Sequence, residues 1–196
     1  MTPSPGAQGE HLVDMLTRFL SRTSRRPLAI ALDGRSGSGK SSLSAKLAKQ
    51  FELALVEGDD FYAGGVALRS DSPAQRAASC IDWRRQADVL RQLRSGHPAS
   101  WHAFDWEAFD GRLEPLPKTV RPGPLILCEG VYSGRPELAS LFDLRILLQV
   151  PDEERLRRLR DREGEIGAWE RQWHEAEDWY FTQVAQPACF DRVLSG

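Results

Sequence analysis

Short apolar runs alternate with longer amphipathic stretches over most of the chain. An apolar run that is bounded by polar or glycine-rich residues is typical of a strand buried on both faces. Strands of this kind occur in parallel sheets, because the connections between them place helices on both faces. The predicted strands span residues 28–32, 53–56, 125–128, 144–150 and 191–194.

The amphipathic stretches predict helices, because their apolar side chains recur every three or four residues. In the first stretch, Leu12, Leu16, Phe19 and Leu20 lie on one face. Helices that alternate with strands indicate an α/β fold, a parallel sheet with helices on both faces. The predicted helices span residues 11–21, 42–51, 83–93, 152–163 and 166–184.

The chain shows no internal repeat and no low-complexity tract, so its 196 residues predict one domain. Residues 1–10 are rich in Pro, Gly and polar residues and are predicted as a flexible N-terminus, followed by a single domain over residues 11–196. Residues 63–79 and 113–124 have no clear period and are predicted as loops.

The segment between the first strand and the second helix carries a specific chemical signal. Its sequence, GRSGSGKS at residues 34–41, matches the phosphate-loop pattern GxxxxGK[ST] and lies in the required strand-to-helix context. Glycines let backbone N–H groups turn inward around an anion, and the positive end of the following helix adds to the attraction. Lys40 is expected to reach the β- and γ-phosphates of ATP, and the Ser41 hydroxyl to bind Mg²⁺. The predicted nucleotide-binding residues are Gly34, Ser36, Gly37, Ser38, Gly39, Lys40, Ser41 and Ser42.

Carboxylates follow two of the predicted strands. Asp59 and Asp60 come after the second strand, and Glu129 follows the third, as in a Walker B strand. The carboxyl ends of parallel strands open onto one crevice, so these acids are expected beside the phosphate loop. Phosphoryl transfer to an alcohol needs bound Mg²⁺ and a base that accepts the hydroxyl proton. We predict Ser41, Asp59 and Glu129 as the metal site and Asp59 and Lys40 as catalytic residues. A helix cap, a turn residue or a solvated strand end is the alternative for the acids.

Composition and charge exclude several other classes. The hydrophobic fraction of 41% and the charged fraction of 28% are those of a globular protein. A net charge of −2 favours neither nucleic acid nor an anionic membrane, and no apolar run approaches the roughly 20 residues that span a bilayer. Cysteines and histidines show no metal-ligand spacing. We predict a cytoplasmic protein without a nucleic-acid or membrane partner, and the oligomeric state stays open.

Together these motifs resemble the uridine kinase family of P-loop nucleoside kinases. The matching pieces are GRSGSGKS at residues 34–41, DDFY at 59–62, CEGVY at 128–132 and an arginine-rich segment at 155–161. The family carries such pieces in this order and at comparable spacing. The resemblance, which extends over residues 28–194, implies a nucleoside kinase-like P-loop fold. It also implies transfer of the γ-phosphoryl group of ATP, with Mg²⁺, to a uridine- or cytidine-like nucleoside or a related ribosyl-like alcohol.

The resemblance further implies a set of substrate-binding residues. Asp82 resembles an acid that binds sugar hydroxyls in the family, and FDW at residues 104–106 resembles a segment whose aromatic rings hold the base. Where the family usually supplies a base-contacting histidine, this chain has Phe109, and the next histidine is His174. By the same analogy, residues 184–188 would contact adenine. The implied substrate-binding residues are Asp60, Tyr62, Asp82, Phe104 and Trp106.

An arginine-rich helix is predicted to act as a lid over residues 152–167. Arg155, Arg158 and Arg162 recur at helical spacing and therefore share a face. Such a face can close over a polyphosphate and neutralise charge in the transition state, so Arg158 and Arg162 are predicted as catalytic. The alternative is a solvated helix face, on which the arginines pair with neighbouring acids.

Aromatic residues are dense between residues 83 and 109. Flat rings near carboxylates suit a planar or sugar-like ligand, whereas core packing is the other explanation. Phe104 and Trp106 are predicted to line a site, and Trp83 and Trp101 to belong to the core. The tryptophans of the last predicted helix are also expected in the core: Trp169, Trp173 and Trp179.

These features favour a small-molecule kinase. An antibiotic-modifying kinase would use the same chemistry on a different acceptor. A nucleotide-switched regulatory ATPase, which only hydrolyses ATP, is the alternative from another class. The aromatic and acidic middle segment favours a small acceptor over that alternative.

Overall fold

The structure, a computed structural model, describes residues 5–22 and 27–195. Within them, five parallel strands form the central sheet and two short antiparallel strands form a hairpin at its side. The strands are β1 (Leu28–Asp33), β2 (Leu53–Glu57), β3 (Ala99–Trp101), β4 (Lys118–Val120), β5 (Leu125–Glu129), β6 (Leu144–Gln149) and β7 (Arg192–Ser195). The sheet order β2–β5–β1–β6–β7 confirms the predicted parallel sheet.

The helices lie on both faces of this sheet and agree closely with the predicted ones. The first begins at Pro5, so part of the segment predicted as a flexible terminus is helical, and residues 1–4 of that prediction lie outside the described residues. None of the helices in the described part of the chain is long and apolar enough to cross a membrane. The helices are α1 (Pro5–Arg22), α2 (Lys40–Gln50), α3 (Pro73–Ser79), α4 (Trp83–Arg94), α5 (Asp152–Glu163) and α6 (Ala168–Gln183).

The two faces of the sheet bury different helices. On one face, Leu12 and Leu16 of α1 and Leu47 of α2 pack with alternate residues of β1 and β5. On the other face, Leu90 of α4 and Tyr180 of α6 belong to a second buried cluster. Successive strand residues point to opposite faces, so continuous apolar runs such as β1 supply both clusters at once.

The carboxyl ends of the central strands form the crevice that positions the site. Strand β1 lies between β5 and β6. Glu129 at the end of β5 pairs with Leu32 of β1 on one side and with Glu57 of β2 on the other. The loop after β1 and the acids that end β2 and β5 therefore meet at one edge. Ligands of open α/β sheets bind at such edges.

Two elements of the fold lie in segments that were predicted as loops. Helix α3 begins with a capping box, in which the Ser72 side chain accepts from the Gln75 backbone N–H and the Gln75 side chain reaches back. The hairpin of β3 and β4 pairs Trp101 with Lys118 and brings a proline-rich connection up to the sheet edge. Both elements are short, which is why their periodicity was too weak to predict them.

Candidate active site

The phosphate loop connects β1 to α2 and adopts the backbone that its glycines allow. Gly37 and Gly39 have φ values of 78° and 97°, in the left-handed region that side chains rarely enter. A Cβ atom at Gly37 would also lie 2.5 Å from the carbonyl oxygen of Arg155, so helix α5 packs directly on the loop. Lys40 is buried and donates from Nζ to the carbonyl oxygens of Gly34 (2.8 Å) and Arg35 (3.2 Å). Its ammonium group therefore lies within the curve of the loop.

The predicted metal residues converge on one cavity of about 450 Å³. Ser41 from the start of α2, Asp59 from the turn after β2 and Glu129 from the end of β5 all line it. Burial raises the pKa of Glu129, Lys40 opposes the rise and the charge of Asp59 adds to it. Asp59 is open to the cavity, yet the surrounding protein raises its pKa too, again mainly by desolvation. Two carboxylates forced together in this way are stabilised by a cation between them.

This oxygen donor set fits Mg²⁺. Within the described residues, no group of three or more His, Cys, Asp or Glu side chains is placed to hold a metal ion alone. Magnesium rarely uses such a cage and is usually held by one or two carboxylates, water and substrate phosphates. The Ser41 hydroxyl, which hydrogen-bonds to Glu129, completes a protein contribution of that size.

The adjacent acids Asp59 and Asp60 have different environments. They lie in a single 3₁₀ turn, Gly58–Phe61, and both line the cavity. Asp60 is buried and accepts from Trp101 Nε1 (2.8 Å) and from Lys118 Nζ (2.6 Å). Asp59 faces the cavity, so it is the one of the two whose carboxylate can meet an incoming hydroxyl.

The end of the cavity away from the loop has an aromatic wall that was only partly predicted. Trp106 lies there as expected, but Trp169 and Trp173, predicted as core residues, are only half-buried and line the cavity beside it. Three polar residues complete this wall, and the sequence analysis missed all of them: Lys118, Glu170 and His174. The helical spacing could have revealed part of this wall. Residue 173 lies four positions after residue 169, and residue 174 four after residue 170, so each pair shares a face of α6.

Three predicted substrate-binding residues do not line this cavity. The Asp82 side chain accepts from the Arg85 backbone N–H and caps α4. Tyr62 is buried and donates from its hydroxyl to the carbonyl oxygen of Gly65 (2.7 Å). Phe104 is also buried, with its ring 4.8 Å from that of Trp106. Tyr62 and Phe104 therefore support the aromatic wall from behind.

The arginines of α5 divide between two faces of the helix. Arg158 donates from Nη1 to the carbonyl oxygen of Ser38 (3.2 Å), and Arg162 lines the cavity. Arg157 is exposed and pairs with Glu154 and with an aspartate one turn further on. The face predicted as a lid thus lies over the phosphate loop. The ion pairs of the alternative occur on both faces, because Arg155 and Arg158 also pair with Asp152 and Glu154.

A second cavity, also of about 450 Å³, lies on the other side of the loop. Arg35 and Ser38 of the loop line it together with Pro151 and Phe181. Ala185 and Pro187, from the segment predicted to contact adenine, form part of its wall. The loop therefore separates a pocket with an apolar wall and arginines, large enough for a base, from the cavity that holds the carboxylates.

Two buried acids attach the loop to its surroundings, and the sequence analysis identified neither. Asp33 accepts from the backbone N–H groups of Gly34, Tyr132 and Gly134 and from the Tyr180 hydroxyl, at 2.8–3.0 Å. Its burial nevertheless raises its pKa to about 6. Glu177 of α6 accepts from the backbone N–H group and the hydroxyl of Ser36 in the loop. Neither acid stands out in sequence, since each depends on a partner far along the chain.

The chain is similar to proteins of known name over most of its length. It matches the family described as "AAA domain" over residues 30–179. The uridine kinase of Clostridium perfringens strain SM101 is 25% identical over 139 residues, which cover 67% of this chain and 66% of that relative. The match thus spans slightly less than two thirds of the length of that curated relative.

Solved structures show the same fold. A possible uridine kinase from Bacillus stearothermophilus has a TM-score of 0.69 at 22% identity, covering 96% of this chain and 97% of that one. The D-glycerate 3-kinase of Cryptococcus neoformans has a TM-score of 0.65 at 14% identity, covering 97% and 94%. These likenesses confirm the predicted P-loop α/β fold, and the Clostridium relative confirms the resemblance to uridine kinases.

Proposed function

We propose that this chain, which belongs to the AAA domain family, is an ATP- and Mg²⁺-dependent phosphotransferase that acts on a hydroxyl of a small molecule. The observation that carries this proposal is the convergence of Ser41, Asp59 and Glu129 with an aromatic wall in one cavity beside the phosphate loop. A hydrolytic switch needs the first part of this arrangement, but it has no use for a walled acceptor site. A nucleoside-like alcohol is the acceptor class that we propose.

The residues of the loop side would bind and orient the nucleotide. The loop N–H groups and Lys40 hold its phosphates, and Ser41 and Glu129 hold Mg²⁺, which supplies charge neutralisation at the phosphate oxygens. The second cavity would take the adenine base of the nucleotide. Arg158 contacts the loop and Arg162 lines the cavity, so both would stabilise the charge that grows on the phosphates in the transition state.

Asp59 would accept the proton from the acceptor hydroxyl. As that proton leaves, the hydroxyl oxygen forms a bond to the γ-phosphorus, and the bond from this phosphorus to the β,γ-bridging oxygen breaks. The products are a phosphate ester and ADP, and the proton passes from Asp59 to water. Asp59 lines the cavity together with Ser41 and Trp106, which suits this role, because a base must lie within hydrogen-bond reach of the hydroxyl that it deprotonates.

The aromatic wall would hold the acceptor. A planar ring can stack on Trp106, Trp169 or Trp173, and sugar hydroxyls can bond to Glu170 or Lys118. His174 lies in the same wall and offers the base a ring nitrogen, although it comes from a different part of the chain than the histidine of the uridine kinase family. We place the enzyme in the cytoplasm, since its three cysteines are free thiols and one of them is exposed.

A screen of nucleosides and related alcohols with ATP and Mg²⁺, read as the mass gain of one phosphoryl group, tests the proposal. We expect Asp59→Asn to lower kcat about 10³-fold with nucleotide affinity nearly unchanged, because a positioned base contributes about 10²- to 10⁴-fold. Asp88→Asn on α4 is the matched control, since Asp88 is exposed and pairs with Arg91 of the same helix.

Two results would contradict the proposal. If Asp59→Asn turns over nearly as fast as the wild type, Asp59 is not the general base. Strong ATP hydrolysis that no alcohol accelerates would favour the regulatory ATPase.

A further inference from the structure

One face of helix α6 runs from the acceptor wall to the phosphate loop. Trp169, Trp173, Glu177 and Tyr180 follow one another at spacings of four, four and three residues, so they lie in a row. The first two line the cavity that we assign to the acceptor, and the last two contact residues at the start of the loop. A single rigid element thus touches both substrate sites.

Glu177 contacts the phosphate loop itself. Its side chain is fully buried, and it accepts from the Ser36 backbone N–H (2.9 Å) and from the Ser36 hydroxyl. Ser36 is the third residue of the loop motif and lines the same cavity as Ser41 and Asp59. Its N–H group points at Glu177, so this contact fixes the backbone from which the following loop N–H groups turn toward an anion.

Neighbouring residues of α6 attach the rest of the loop start. Asp178 pairs with Arg35 Nη1, and the Tyr180 hydroxyl donates to Asp33 (2.9 Å). Three of the four consecutive positions from residue 33 to residue 36 are therefore tied to one helix. A buried carboxylate gives little net stability, because its desolvation offsets its hydrogen bonds, so stability is a weak explanation for Glu177.

We propose that Glu177 is a positioning residue that couples the acceptor site to the phosphate loop. An acceptor that packs on Trp169 and Trp173 holds α6 in one position. Glu177 then holds Ser36 in a matching position through its two hydrogen bonds. The backbone N–H groups that follow Ser36 in the loop are then held where the γ-phosphate needs them. This inference rests on the proposed function, because it assigns a coupling between the two substrates of that reaction.

The test measures how acceptor and nucleotide affect each other's affinity. Calorimetry gives the Kd of the non-hydrolysable analogue AMP-PNP with Mg²⁺, with and without the best alcohol from the screen. We expect at least about 5-fold coupling in the wild type, the lower end of common values. Glu177→Gln should reduce the coupling to less than about 2-fold. Glu175→Gln should keep it, since Glu175 lies on the same helix but is 61% exposed and pairs with Arg76.

Equal coupling in Glu177→Gln and the wild type would overturn the inference, as would a wild type without coupling. A loss confined to thermal stability, with coupling retained, would also overturn it. If Glu177→Gln does not fold, Ser36→Ala removes the hydroxyl half of the same contact and should weaken the coupling at least about 2-fold.

A second measurement needs no acceptor. Hydrogen exchange over residues 168–176 should slow when AMP-PNP and Mg²⁺ bind to the wild type, and should not change in Glu177→Gln. Binding without any change in this helix would overturn the inference and leave the proposed function standing. Failure of the wild type to bind AMP-PNP would refute both.

Discussion

The two ends of the cleft are built in different ways. The phosphate end consists of consecutive residues, 34–41, whose backbone conformation creates the anion site. The acceptor end takes Asp60 from the turn after β2, Lys118 from a hairpin and Trp169 from the last helix. Local geometry alone can bind a phosphate, whereas the acceptor wall needs side chains from three segments that are distant along the chain. This difference explains how one fold can serve kinases with different acceptors.

The largest effect is expected at the phosphate end. Lys40→Ala should lower kcat/KM about 10³-fold and weaken nucleotide binding, because it removes a buried positive charge from the curve of the loop. Calorimetry with AMP-PNP and steady-state kinetics measure both. Lys49→Ala is the control, since Lys49 is exposed in the last turn of the same helix. Nucleotide affinity that survives in Lys40→Ala would show that this end is not the anion site.

A smaller effect is expected from Asp33, which joins the loop to α6 and to the loop after β5. Its pKa is about 6 in the folded protein and 3.8 ordinarily, so the folded state keeps the proton to higher pH. Ionisation of Asp33 therefore destabilises the fold by about 3 kcal/mol above pH 6. That destabilisation is relieved as the pH falls from 6 toward 4.

Urea denaturation at several pH values measures this effect. As the pH falls from 6 toward 4, the free energy of unfolding of the wild type should rise relative to that of Asp33→Asn. Only the wild type takes up a proton at residue 33 in this range. Asp88→Asn serves as the control for a change of charge at an exposed site. Parallel pH curves for Asp33→Asn and the wild type would contradict the assignment.

The smallest effect is expected at the acceptor end. Trp169→Ala should raise the KM for the acceptor about fivefold and leave the KM for ATP unchanged, since one stacking contact contributes about 1 kcal/mol. Trp179→Ala removes a partly buried tryptophan of the same helix that lies outside the cavity lining. Equal changes in the two variants would mean that Trp169 only packs, as the sequence had suggested.

The parts of the protein that could be predicted are those whose information is local. The apolar run of β1, the loop after it and the helical period of α5 each lie within about a dozen residues, and each was predicted close to its observed bounds. The acids Asp59 and Glu129 were also located, because a parallel sheet necessarily brings strand ends together. Sequence therefore determined the fold class and the position of the phosphate loop.

The remaining features depended on which distant segments meet. The sequence predicts Trp173 as a core residue, but in the structure its side chain lines a cavity. The sequence predicts Asp82 as a substrate-binding residue, but its side chain caps a helix. Lys118 and Glu177 gave no signal, since a lone charge acquires a role only from what it faces. Tertiary structure alone decided the acceptor wall and the tie between α6 and the loop, because both are made by side chains that only long-range packing brings together.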